Sequence, residues 1–125
     1  MITGIHHVSM KCEKEADFQR AKDFYCGILG LPVRREWPEG VMIDTGNGVI
    51  EIFRSGGGGV GQGVIRHFAL AETQVDDTIE KIRQAGYEII VEPKDVTIAS
   101  TPAFPARIAF CIGPLGEEIE LFQER

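Results

Sequence analysis

The chain has 125 residues, 43% of them hydrophobic and 26% charged, and thirteen basic against nineteen acidic side chains give a formal net charge of −6. That is sequence for one folded domain. It argues against a disordered chain, a membrane span of ~18 consecutive apolar residues, and a surface made to bind a phosphate-rich polymer such as nucleic acid.

The start, Met1-Ile2-Thr3-Gly4, does not read as a secretory leader. Three cysteines, Cys12, Cys26 and Cys111, form no CxxC pair, which fits a reducing cytoplasm better than a disulfide framework. The first strand is expected around Ile5-His6-His7-Val8, continuing to Lys11. An amphipathic helix follows from about Ala16 to Leu29, with Phe18, Ala21, Tyr25, Ile28 and Leu29 on one stripe. Gly30-Leu31-Pro32 breaks it. Three strand-like runs come next, Val33 to Trp37, Val41 to Thr45 and Val49 to Arg54, separated by Pro38-Glu39-Gly40 and Gly46-Asn47-Gly48.

Residues 55–63, rich in glycine, read as a connector. A phosphate-cradling loop is disfavoured there, because no GK[ST] ends the stretch and a strand rather than a helix follows. The pattern then repeats. Ile65-Arg66-His67-Phe68 echoes the first strand. A second helix is expected from about Gln74 to Ala85, with Val75, Ile79, Ile82 and Ala85 on its stripe, Thr73 with Asp76 as a capping signal and Gly86 as a stop. Strands are expected at Tyr87 to Val91, Arg107 to Ile112 and Ile119 to Phe122, with a turn at Gly113-Pro114-Leu115-Gly116. Between the first two of these, Glu92 to Ala106 with Pro93, Pro102 and Pro105 reads as a long loop of the kind that often covers a site. The order strand, helix, strand, strand, strand thus occurs twice. It implies one α+β domain over 1–125, made of βαβββ modules at 1–55 and 64–125 joined by the 55–63 connector.

Strand periodicity locates the chemistry. His7, Ser9 and Lys11 share one face of the first strand, and His67, Ala69 and Ala71 share one face of its counterpart. Glu51 lies between Ile50 and Ile52, and Glu120 between Ile119 and Leu121, so each carboxylate points away from its aliphatic neighbours. If the helices cover the aliphatic face, His7, Glu51, His67 and Glu120 project from the other, concave side. Two imidazoles and two carboxylates converging there suit a divalent transition metal whose charge they offset, with two positions left for water or substrate. Each residue alone reads as an ordinary strand position; the repeated pairing is the signal. His6 is read as structural, because its counterpart is Arg66. Lys11, on the face of His7, reads first as a solvated strand end.

The modular plan, His6-His7-Val8, Phe24-Tyr25-Cys26-Gly27-Ile28-Leu29-Gly30-Leu31 and Ile119-Glu120-Leu121-Phe122 together resemble the vicinal oxygen chelate superfamily, most of all its glyoxalase I-like members. The resemblance implies a cup-shaped, mostly antiparallel sheet and a metal site of His7, Glu51, His67 and Glu120. It implies nickel or cobalt ahead of zinc. The implied activity is lyase or isomerase chemistry on a small thiohemiacetal of glutathione or another thiol, passing through an enediolate, with Glu120 as base and Glu51 as the alternate. It also implies a homodimer with sites at the interface. Arg34, Arg35, Arg54, Arg66 and Arg107 are candidates for holding the thiol moiety. Extradiol dioxygenase, epimerase and fosfomycin-type thiol transferase chemistry, or metal-free drug binding of the bleomycin-resistance type, are the alternatives on the same scaffold.

Overall fold

Period-2 runs and period-3.6 runs alternate along the chain, and a computed structural model, which describes residues 1, 3, 5–54, 65 and 67–125, forms strands and helices accordingly. The chain divides into two compact units, Met1–Val60 and Gly61–Arg125. The proposed 55–63 connector, like Arg66, lies outside the described residues.

In the first unit β1 (His7–Lys11) is followed by α1 (Glu15–Lys22), a π-helical segment (Asp23–Ile28), β2 (Val33–Trp37), β3 (Gly40–Asp44) and β4 (Val49–Phe53). The four strands form one mixed sheet in the order β1-β4-β3-β2. β4 is central, parallel to β1 and antiparallel to β3. This position explains its nearly continuous apolar sequence, broken only by Glu51. Ile50, Ile52, Val41 and Ile43 are buried together with Phe18, Ala21, Phe24 and Tyr25 from the helical stretch. Burying an aromatic or aliphatic side chain of this kind contributes about 2 kcal/mol. Arg54 seals the edge of this core. Its guanidinium stacks 3.9 Å from the Phe18 ring centroid and its Nε donates to Glu15 at 2.7 Å. That bond lowers the Glu15 carboxyl to about 2.

The first helix departs from expectation after Lys22, where it widens into a π-helical turn: the Leu29 amide donates to the Phe24 carbonyl, five residues back. The wider turn lets the adjacent Phe24 and Tyr25 both face the core, with rings edge to face at 5.0 Å. A regular helical stripe selects Tyr25 alone, while Ile28 and Leu29, expected on that stripe, are only half-buried.

The second unit repeats the plan with β5 (Phe68–Ala71), α2 (Val75–Gln84), β6 (Ile89–Ile98), β7 (Phe104–Ile112) and β8 (Glu118–Glu124), in the sheet order β5-β8-β7-β6. Here β8 is central, parallel to β5 and antiparallel to β7. Val75, Ile79 and Ile82 of α2 are buried with Ile119, Leu121, Ala106 and Ala109. Ala85, expected on the stripe, ends the helix in an exposed position, and Gly86 follows at φ 93°.

Two expectations fail in this unit. Thr73 and Asp76 do not cap α2. Instead the Glu72 carboxylate accepts hydrogen bonds from the Thr73 and Gln74 amides at 2.7 and 3.0 Å and from the Thr78 hydroxyl at 2.8 Å. Partial burial raises the Glu72 carboxyl, but these three donors outweigh it and hold the group below its ordinary range. The long loop is also absent. Residues 92–98 and 104–106 belong to a hairpin in which β6 and β7 pair antiparallel as far as Ile98 opposite Phe104. The prolines fit because Pro93 falls at a register shift between Val91 and Lys94 on the outermost strand, and Pro102 falls in the turn.

Candidate metal centre

Each sheet has one face under its helix and one face free of it, and the sheet registers place the four candidate ligands on the latter. In the first module Ser9 lies opposite Glu51 across the parallel β1–β4 pairing, with His7 two residues earlier on the same face. In the second, Ala69 lies opposite Glu120 across β5–β8, and His67 immediately precedes β5. His7 Nε2 is 3.7 Å from Glu51 Oε1, and His67 Nε2 is 3.0 Å from Glu120 Oε2. Each histidine is thus brought to its expected carboxylate. Among the described residues, no three His, Cys, Asp or Glu side chains come together as a group able to hold a metal ion.

The donor types suit a divalent ion. Two neighbouring ligands with bonds of about 2.1 Å at right angles lie about 3 Å apart, which the 3.0 Å of the second pair matches and the 3.7 Å of the first exceeds. Imidazole nitrogen and carboxylate oxygen are the donors that nickel, cobalt and zinc accept. In His67, Nε2 faces the Glu120 carboxylate, while Nδ1 is buried without a hydrogen-bond partner among the described residues.

The pairs differ in their support. Glu51 is 7% exposed, and its Oε1 accepts a hydrogen bond from the Ser9 hydroxyl at 3.0 Å. Glu120, half-buried, has Ala69 where Glu51 has Ser9, and His67 is its one recorded polar partner among the described residues. His7 has a neighbour at its back: His6 Nδ1 lies 2.9 Å from His7 Nδ1. Ser9 was legible as a residue on the ligand face but not as a tether, and His6, read as structural, touches the site. The open face of the second sheet also carries an aromatic surface. Phe110 meets the His67 ring edge to face at 5.1 Å, and Phe104 stacks on Phe122 at 6.2 Å.

The arginine candidates separate. Arg34 is paired with Asp44, Arg54 with Glu15, and Arg107 with Asp76 and Asp95, so these three brace the fold. Arg35 is exposed on β2, and Lys11 is exposed at the end of β1. Cysteine nucleophiles are disfavoured. Burial, with Glu117 nearby, pushes the Cys111 thiol up to about 12, and burial raises Cys12 and Cys26 as well. No helix among the described residues is long and apolar enough to cross a membrane.

Comparison with known proteins places the chain in a family. The model of the Glyoxalase/Bleomycin resistance protein/Dioxygenase superfamily matches residues 4–121, and the chain belongs to that superfamily. A relative named "Probable lactoylglutathione lyase", from Synechocystis sp., is 30% identical over 120 residues, covering 86% of this chain and 87% of its own. Among solved structures, lactoylglutathione lyase from Agrobacterium tumefaciens superposes with a TM-score of 0.68 at 17% identity, over 98% of this chain and 95% of that one. A genomically encoded fosfomycin resistance protein from Listeria monocytogenes superposes with a TM-score of 0.73 at 16% identity, over 98% and 94%. At such identities these two structures establish the shared α+β, two-module fold.

Proposed function

We propose that the protein is a metal-dependent glyoxalase I-type lyase, working in the cytoplasm as a homodimer on a small thiohemiacetal of an α-oxo aldehyde with glutathione or another thiol. The observation that carries this reading is the same His–Glu pair on the same elements of both modules. The lyase-named relative supports it, and three free cysteines suit the compartment.

His7 and Glu51 would supply one half of the ligand set and His67 and Glu120 the other. When bound, a divalent ion, nickel or cobalt ahead of zinc, supplies positive charge that stabilises the negative charge developing on two vicinal substrate oxygens. Glu120 is the base. It takes a proton from the substrate carbon beside the carbonyl, leaving an enediolate, and returns the proton to the neighbouring carbon while the hydroxyl proton passes from one vicinal oxygen to the other, which gives the α-hydroxy thioester. Glu120 suits the task because no hydroxyl at position 69 holds it, whereas Glu51 would first have to break its bond to Ser9. Because each pair is a half-set, we assign the complement of each to a second copy of the chain, module one of one protomer facing module two of its partner.

The test is turnover of the methylglyoxal–glutathione hemithioacetal after reconstitution with nickel, cobalt or zinc, alongside elemental analysis. Expected are activity with nickel or cobalt, its loss on chelation, and no bound metal in His67→Ala. Failure to hold any of the three ions sinks the enzyme reading and favours a drug-binding protein. Metal binding without turnover redirects it to dioxygenase, epimerase or thiol transferase chemistry.

A further inference from the structure

The contact between His6 and His7 has a chemical consequence for the ligand set. The two rings stand edge to face with centroids 5.2 Å apart, and their Nδ1 atoms are 2.9 Å apart. A hydrogen bond at that distance needs one Nδ1 to carry the proton and the other to accept it. If His6 donates, the single proton of neutral His7 sits on Nε2, 3.7 Å from Glu51 and beyond hydrogen-bond reach, and His7 has no lone pair facing the carboxylate. If His7 donates, its Nε2 keeps a lone pair on the side of Glu51. Only this second arrangement lets one ring nitrogen hold a metal while the other keeps its hydrogen bond.

We propose that His6 is a positioning residue: it accepts the hydrogen bond from His7 Nδ1–H and so holds His7 in the tautomer whose Nε2 is free to coordinate. The placement rests on the metal-site reading above only for its use, not for its geometry. The second module has no equivalent arrangement among the described residues. His67 Nδ1 is buried without a partner, and its Nε2 lies within hydrogen-bond distance of Glu120. Among the described residues, the preset tautomer is therefore a property of the first module.

The experiment has two arms on the full-length protein. Long-range proton–nitrogen correlation spectra of the metal-free, ¹⁵N-labelled chain read which nitrogen of each imidazole bears the proton. Nickel affinity, by competition with a chromophoric chelator, reads the effect on the site. Expected are Nδ1–H on His7 in the wild type, a shift toward Nε2–H in His6→Ala, and retention of Nδ1–H in His6→Asn, whose side-chain oxygen can take the place of the His6 Nδ1 acceptor. His6→Ala should weaken nickel binding about tenfold, the lower end for losing a supporting partner, and His6→Asn should restore it. An Nε2–H tautomer on wild-type His7 overturns the proposal, as does equal nickel affinity in the wild type and both folded variants. A wild-type chain that shows Nδ1–H but binds no nickel upholds the positioning role and instead removes the proposed function.

Discussion

The two modules share topology, strand order and the His–Glu pair, yet the two pairs are supported differently. In the first, Ser9 ties Glu51 and His6 backs His7; in the second, Ala69 gives Glu120 no hydroxyl partner, leaving it His67 Nε2 at 3.0 Å, and the Nδ1 of His67 is buried without a partner among the described residues. A duplicated scaffold thus allows a division of labour. One pair can be a rigid seat, while the other keeps a carboxylate able to move, which is what proton transfer asks of a base and what a structural ligand avoids.

The most severe challenge to this asymmetry compares the carboxylates directly. Glu120→Gln should lower kcat by about 10²–10⁴-fold while the far-ultraviolet circular dichroism is unchanged, and Glu51→Gln should mainly weaken metal binding. Equal losses of kcat would erase the distinction. Next, Ala69→Ser should give Glu120 the tether that Glu51 has and slow turnover about tenfold, the worth of one hydrogen bond to a charged oxygen. An unaffected kcat would show that tethering is not the controlling difference. Third, co-expressing Glu51→Gln with Glu120→Gln chains should recover about a quarter of wild-type turnover. Half of the dimers are then mixed, and each mixed dimer holds one intact site of two if modules from different chains combine. No recovery would place each site within one chain.

The smallest effect concerns the scaffold. Glu72→Gln should cost about 1 kcal/mol at neutral pH, the ordinary loss when a side chain stops serving backbone amides at a helix start. The Glu72 carboxyl titrates below its ordinary 4.5 in the fold. Its stabilisation is therefore present above that value and lost as pH falls through the lower folded one, so variant and wild type should converge in acid. Urea titrations at neutral and acidic pH would show the convergence, and a constant gap would refute it.

The facing of the four candidate residues was legible because strand alternation is a strict rule. Glu51 between two isoleucines and Glu120 between isoleucine and leucine can only face away from them, and the repeat paired each with a histidine. The bracing was not legible, since Ser9 meets Glu51 across 42 positions of sequence and only the β1–β4 register sets them side by side. The contact of His6 with His7 was not legible because its partner is the very next residue, and alternation places neighbours on opposite faces. Local rules also misread the first helix, where an i→i+5 turn puts Phe24 and Tyr25 both inward, and the start of α2, where Glu72 reaches forward to three donors. The prolines in 92–106 suggested a loop because they disrupt an interior ladder, whereas Pro93 lies on the outermost strand and Pro102 in the turn, where no interior ladder bond is lost.

That margin has a further role. β6 is ten residues long and forms the outer border of its sheet, with Ile90 and Ile98 exposed along it. An uninterrupted border of this length is a template on which another chain could add a strand, the first step toward aggregation. Pro93 withholds an amide there, the irregular pairing around it breaks the straight run, and exposed Glu92, Lys94 and Asp95 place charge beside the break. The residue that disguised the strand in the sequence also interrupts the border on which a stray strand could pair.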